Sequence, residues 1–212
     1  MFKLSKQQQE AVDSNARIKL IMGANRSGKT TVLLRCLLKE MKKLNSKDAK
    51  VVIYEINNGF SEFIAREIKY NFRDIIYTCM YHKDRITFET TYGIIEITTG
   101  FVETIESCDI VVVDGASRNK YLKEILSSYS GYCNENGLTK LIIAGHCPED
   151  TKNFFYRQWC TAFYSYIKDT EAFKLRTWDN PAMAPRKEQW EKEILPNMGL
   201  ERYIRDYYAT II

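Results

Sequence analysis

Proline and histidine are scarce in this chain of 212 residues, with 4 and 2 copies, and glycine contributes only 10. These absences exclude collagen-like, proline-rich and Gly/Ser-linker architectures. No apolar run approaches the ~20 residues that a membrane-spanning helix needs, and a typical stretch is Ile110-Val111-Val112-Val113. The opening residues, Met-Phe-Lys-Leu-Ser-Lys-Gln-Gln-Gln, turn polar at once and form no signal-peptide core. A soluble, intracellular chain without a membrane partner is therefore expected. The 6 cysteines are scattered with no CxxC pair, which argues against a disulfide framework or metal site and for reduced thiols. Charge of one sign is lacking too. The net charge is +4, compatible with an anionic partner but far from the excess of a protein that coats nucleic acid.

What remains has the composition of an ordinary globular chain, 45% hydrophobic and 27% charged, long enough for one sizeable α/β domain. Short β-branched runs alternate with amphipathic stretches, the pattern of βαβ units. Strands are expected at Ile18–Met22, Val51–Glu55, Asp109–Asp114, Lys140–Ala144 and Phe163–Ile167. Helices are expected at Lys29–Leu44, Ser61–Phe72, Lys120–Tyr129 and Thr151–Thr161. Arg85–Thr90 and Gly93–Thr99 alternate around Thr91-Tyr92-Gly93, which predicts a hairpin. After Asn180-Pro181 two helices follow, near Pro185–Glu193 and Gly199–Tyr208. The order describes a doubly wound three-layer αβα fold over residues 1–180, with a mainly parallel sheet, a β-hairpin insertion and a small helical appendage over 181–212. The aromatic series from Phe154 to Tyr166 reads as core, and the basic run Arg35, Lys39, Lys42, Lys43, Lys47, Lys50 as a solvated face.

Gly23-Ala24-Asn25-Arg26-Ser27-Gly28-Lys29-Thr30 matches GxxxxGK[ST] in full, between a predicted strand and a predicted helix. In that context glycines let successive N–H groups wrap a phosphate, and the helix N-terminus adds partial positive charge. Lys29 then bridges the β- and γ-phosphates, Thr30 offers its hydroxyl to Mg²⁺, and Thr31 continues the site. The required second element is an apolar strand ending in an acid, and Cys108–Asp114 supplies it, with Asp114 as the Mg²⁺ partner at the strand's carboxyl end. ATP hydrolases of this kind usually carry Glu directly after that Asp, to orient the attacking water. Here the residue is Gly115, and Glu55, at the end of the strand after the P-loop helix, is the candidate substitute. A surface glutamate at a strand end is the plainer alternative.

Three further segments point to a family. Leu4–Val12 resembles the adenine-reading Q-motif of helicase-like ATPases, with Gln8 as the adenine amide and Gln7 as the competing choice. Leu141–Pro148 leading into Asn153–Arg157 resembles the coupling motif of viral terminase large subunits, with Gly145 and His146 in a polar turn after the strand. Thr177–Pro181, followed by Met198–Tyr203, resembles the tail of the same ATPase domain, and Asn-Arg-Ser-Gly-Lys-Thr is a P-loop form found among phage terminases.

The resemblance is thus to the ATPase domain of a phage terminase large subunit. It implies a RecA-like ASCE fold, ATP and Mg²⁺ as ligands, and a ring of subunits moving double-stranded DNA into a procapsid in the cytoplasm of an infected bacterium. Portal and small terminase subunit are its implied partners. A metal-dependent nuclease domain normally follows, and too few residues follow Asn180 to form one, so a truncated chain or a separately encoded ATPase subunit is expected. Many terminases carry a phosphate-touching Arg at the position of Asn25. Arg26 lies one residue on and is the first candidate for that role, with Arg118 and Arg157 behind it. Two rivals stand beside this reading: a helicase-like ATPase domain, and a nucleotide-binding assembly module with little turnover, for which Gly115 is the main support.

Overall fold

The computed structural model describes residues 3–99, 108–136 and 139–211. Eight strands form one sheet: β1 (Ile18–Gly23), β2 (Lys50–Tyr54), β3 (Ile76–Tyr81), β4 (Arg85–Thr90), β5 (Gly93–Thr98), β6 (Ile110–Val113), β7 (Lys140–His146) and β8 (Thr170–Leu175). Among the described residues seven α-helices accompany them: α1 (Lys6–Asp13), α2 (Lys29–Leu44), α3 (Asn58–Asn71), α4 (Leu122–Asn136), α5 (Phe154–Tyr164), α6 (Lys187–Met198) and α7 (Leu200–Tyr208). The sheet order is β3-β4-β5-β2-β6-β7-β1-β8. The six strands from β5 to β8 pair in parallel, and only the β3–β4 and β4–β5 pairs are antiparallel.

Strand alternation builds the three layers. Ile21, Val51, Ile53, Ile110, Val112 and Ile142 point to one face, where they pack with α1, α2 and α3 residues such as Val32, Leu37 and Ile64. Their neighbours Leu20, Met22, Val52, Tyr54, Val111, Val113 and Ile143 point to the other, against Leu122 and Ile125 of α4 and Phe155 and Trp159 of α5. The central strands are buried on both faces, which is why they read as continuous apolar runs.

Sequence expectation and structure part company in four places. The hairpin is part of the main sheet, because β5 pairs with β2 and β3 extends the edge beyond β4. Phe163–Ile167 is not a strand: it is the end of α5 and the turn after it, with Tyr164 and Tyr166 79% and 93% exposed. The edge strand is β8, whose Thr-Glu-Ala-Phe-Lys-Leu carries too many polar residues to stand out as a buried run. Gly145 and His146 belong to β7 rather than to a turn, paired with Met22 and Gly23 of β1. Finally, part of the basic run on α2 is structural. The Lys39 ammonium donates to the Val12 and Asp13 carbonyls at 2.9 and 2.7 Å, and Lys19 of β1 donates to Ala11 at 3.2 Å. These cations satisfy the orphan carbonyls at the carboxyl end of α1.

Among the described residues no helix is long and apolar enough to cross a membrane. The C-terminal segment folds back onto the rest: Tyr203 and Tyr207 of α7 are buried, Trp178 stacks on Tyr207 at 5.9 Å, and Ala209 joins the core on the α5 side.

Candidate functional site

The loop Gly23–Thr30 leaves the carboxyl end of β1 and enters α2, so the first N–H groups of a 16-residue helix face the space above the sheet. The loop is held from outside by its carbonyls. Gln8 Nε2 donates to the Ser27 carbonyl at 2.8 Å, Asn180 Nδ2 to that of Arg26 at 2.7 Å, and the Thr177 hydroxyl to that of Asn25. The Asn25 N–H donates to the Asp206 carbonyl at 2.7 Å, and the Ala24 N–H to Leu175 at 2.8 Å. Thus α1, the end of β8, the turn after it and α7 all meet on one short loop. Thr177, Asn180 and Asp206 carried no role in the sequence reading. Thr177 and Asn180 lie in a segment matched only as a family tail, and the Asp206 tie is made by backbone, which leaves no sequence signal.

Gln8 is engaged inside the protein. Its Nε2 is given to Ser27, and its Oε1 accepts the Ser5 N–H at 3.0 Å while Ser5 Oγ accepts the Gln8 N–H, a capping box at the start of α1. Only 2% exposed, Gln8 braces the P-loop through one amide N–H and one oxygen lone pair, which leaves a second N–H and a second lone pair on the amide. A cavity of about 410 Å³ is lined by Gln8 together with Leu4, Thr31, Asn180 and Pro181 among others. Gln8→Ala is expected to weaken ATP and GTP binding alike, by about tenfold, with the ATP:GTP ratio unchanged in a competition titration. A collapse of that ratio would mean that Gln8 reads the base.

Arg26 lies against the C-terminal segment. It has a left-handed backbone, φ 55°, and its guanidinium lies 4.9 Å from the centroid of the Trp190 ring on α6. The side chain therefore packs on α6 of the C-terminal segment.

The chemistry gathers at the ends of β2, β6 and β7. The Thr30 hydroxyl donates to Asp114 Oδ2 at 3.0 Å, and Asp114 Oδ1 accepts the Gly115 N–H at 2.9 Å. Tyr54 and Val113 are paired partners on β2 and β6, so the residues that follow, Glu55 and Asp114, stand side by side. Glu55 is no surface residue: it is 3% exposed and its Oε1 is buried with no hydrogen-bond partner. Burial, reinforced by the Asp114 charge, pushes its carboxyl up to about 9. Burial raises Asp114 as well, against the pull of Lys29 and the Gly115 and Thr30 hydrogen bonds. Lys29 is brought down to about 8 by burial, with Asp114 opposing and Arg118 assisting. Among the described residues its one hydrogen bond is a long 3.4 Å contact to the Ala24 carbonyl. His146, at the end of β7 beside Gly23, is lowered to about 3 by burial and by the Lys29 and Arg118 charges, so it is a neutral imidazole.

These groups fit a magnesium–nucleotide ligand. Thr30 and Asp114 form a ready hydroxyl–carboxylate pair, the Ser27 hydroxyl inside the loop is buried without a partner, and the Lys29 ammonium is poorly satisfied. Among the described residues no cluster of three or more His, Cys, Asp or Glu side chains is arranged as a self-sufficient metal site. A Mg²⁺ that takes most of its shell from phosphate and water needs no such cluster.

Gly115 has a positive φ of 67° and opens the 3₁₀ turn Ala116–Arg118. A Cβ there would sit 3.0 Å from Ile56 Cγ2. Gly115→Glu, which restores the carboxylate usual at this position, is expected to lower stability by about 1–3 kcal/mol through left-handed strain and crowding. Phosphate release should not rise, an outcome that urea melts and a turnover assay check together. Gly145 is confined in another way, since a Cβ would lie 2.7 Å from the Phe155 ring and 3.0 Å from the Ser117 N. The end of β7 therefore touches the turn that follows Asp114 directly, with no side chain between them.

No family model matches the chain, and no curated protein matches its sequence. Solved structures do. The ATPase domain of the large terminase of Thermus phage P74-26 aligns over 100% of this chain and 95% of its own, with TM-score 0.67 and 14% identity. The large terminase of a second, thermophilic bacteriophage aligns over 99% of this chain with TM-score 0.75 and 14% identity, and has been solved with ATP-γ-S and with ADP. The large terminase of bacteriophage HK97 aligns over 97% with TM-score 0.66 and 13% identity. The chain spans about half of the latter two proteins, 53% and 50% of their lengths. The chain has the fold of phage large terminase ATPase domains.

Proposed function

We propose that this chain is the ATP-driven motor domain of a viral terminase large subunit, which binds and hydrolyses Mg-ATP to move double-stranded DNA. The observation that carries the reading is the pairing of Thr30 in a complete P-loop with Asp114 at the end of β6, 3.0 Å apart, in a fold matched along its length by terminase ATPase domains. Residues 23–31 would hold the phosphates and Thr30 with Asp114 the Mg²⁺, within a core of residues 1–180 to which 181–212 form an appendage. Mg²⁺, when bound, supplies charge neutralisation on the β- and γ-oxygens.

The chain's own groups divide the remaining work. Lys29 is a desolvated ammonium with little to bond to, so a phosphate oxygen is its natural partner. We read Glu55 as the carboxylate that orients an attacking water and that, once a bound cation offsets the Asp114 charge which helps keep it protonated, takes the proton, the part that Gly115 leaves vacant. His146 and Gly145 join β7 to the P-loop strand on one side and to the turn after Asp114 on the other, which suits them to relay nucleotide state. In the assembled motor, a ring with portal and small terminase subunit in the host cytoplasm, grip on DNA phosphates would be sequence-independent and salt-sensitive.

The test is a titration of Mg-ATP-γ-S and ADP combined with phosphate release, each with and without double-stranded DNA. Micromolar binding and DNA-stimulated release are expected. Binding with no turnover under any of these conditions would favour an assembly module gated by nucleotide, the reading that Gly115 supports. Absence of binding would overturn both.

A further inference from the structure

We infer that Lys19 and Lys39 are positioning residues for the nucleotide site: from the far end of α1 they hold Gln8 against the P-loop. The inference rests on the nucleotide-binding reading and concerns how that site keeps its shape. α1 has only 8 residues, too few for a helix to persist in water without tertiary support. Its buried residues, Gln8, Ala11 and Val12, lie on one face. At its start Gln8 Nε2 reaches the Ser27 carbonyl at 2.8 Å. Ala11 is three residues on, so the carboxyl end of the helix begins about one turn from that contact.

Three donors converge on that end. The Ala11 carbonyl accepts Lys19 Nζ at 3.2 Å and Cys36 Sγ at 3.4 Å. The Val12 carbonyl accepts Lys39 Nζ at 2.9 Å and Lys19 Nζ at 3.5 Å, and the Asp13 carbonyl accepts Lys39 Nζ at 2.7 Å. Lys19 is the odd residue of β1: Ile18, Leu20, Ile21 and Met22 around it are apolar, and it is 1% exposed. A buried ammonium is costly, and an apolar side chain would pack at least as well in such a strand. What keeps the charge is Glu40 of α2, also buried, whose Oε1 lies 3.9 Å from Lys19 Nζ and 3.3 Å from Lys43 Nζ. Its Oε2 lies 4.0 Å from Lys140 Nζ of β7. Lys43 and Lys140 in turn donate to Asn15, in the link from α1 to β1, at 2.9 and 3.1 Å. Cations from β1, α2 and β7 thus fix the end of α1 and the link after it. β1 runs into the P-loop and α2 leaves it, so Gln8 is registered against the two elements that carry the loop. Directional bonds set α1 in rotation and height, which apolar packing alone does not.

The experiment compares K19M, K39M, Q8A and the double variants K19M/Q8A and K39M/Q8A with wild type. Mg-ATP-γ-S and ADP are titrated, melting temperatures recorded, and amide hydrogen exchange of residues 24–28 followed without nucleotide. K19M leaves no orphan carbonyl, because Ala11 keeps Cys36 and Val12 keeps Lys39, while Glu40 keeps Lys43 and Lys140. Its melting temperature should therefore stay within about 3 °C of wild type. Both nucleotides should nevertheless bind about fivefold more weakly in K19M and in K39M, and P-loop exchange should quicken by about the same factor. Each double variant should bind no more weakly than Q8A alone, since the lysines act through the glutamine. Unchanged binding or exchange in either lysine variant, or effects that multiply with that of Q8A, would overturn the inference and leave the nucleotide site standing. Should K19M not fold, K39M and K39M/Q8A decide the same question. If wild type binds neither nucleotide, the reading of the site fails and the inference with it.

Discussion

Glu55→Gln is expected to slow phosphate release by about a thousandfold, with Mg-ATP-γ-S binding kept within about threefold of wild type. Glutamine keeps the shape and loses only the ability to take a proton, so the separation of binding from turnover tests the base role specifically. A surface glutamate would give no effect, and one that merely packs the end of β2 would lose binding and stability together. The same variant carries a pH signature in the metal- and nucleotide-free protein. Glu55 is raised from 4.5 to about 9 by burial and by the facing Asp114, beyond which lies Lys29. Between those values the folded state keeps a proton that the unfolded chain has lost, so stability falls as pH rises. The contribution is intact below the unfolded value and lost as pH climbs through the folded one. Urea melts at about pH 5 should show wild type and Glu55→Gln alike, and at about pH 8.5 wild type should be the weaker, by roughly 1 kcal/mol for each unit of effective shift. Equal pH dependence in the two proteins would mean that Glu55 is not held proton-loaded beside Asp114.

Lys29→Met should abolish turnover and weaken both ATP-γ-S and ADP by at least about a hundredfold. Methionine retains most of the buried alkyl stem, so the fold itself is not hollowed. In the nucleotide-free state the change should even raise the melting temperature. Burial brings Lys29 down to about 8, which means that its charged form is disfavoured in the folded protein and that a neutral side chain relieves the strain. Loss of function with gain of stability is the mark of a group placed for a ligand. A fall in melting temperature comparable to a core cavity would instead mark Lys29 as a structural cation for Asp114.

Much of this site was legible because its parts are local. Gly23–Thr30 is one unbroken motif, α2 begins and ends where its periodicity does, and Asp114 terminates a run of four apolar residues. Glu55 was visible only as a strand-end acid. Its burial depends on β2 and β6 being neighbours in register, a long-range fact that no window of sequence contains. Gln8 is ambiguous in the sequence for a related reason. A glutamine three residues after a serine is equally a capping box and a base-reading motif, and the Ser27 carbonyl that settles its amide is 19 residues away. β3 and β8 went unrecognised because edge strands carry polar residues on the face that water covers. The exposed tyrosines after α5 have high strand propensity and took the place of β8 in the pattern.

The ties on the P-loop also set an order in time. The loop itself is complete once residue 30 has been synthesised, yet the groups that hold its carbonyls and N–H groups come from Gln8 at one end and from Thr177, Asn180 and Asp206 at the other. A nascent chain leaving the ribosome therefore carries the GxxxxGK[ST] loop long before residues 177–206 arrive to brace it.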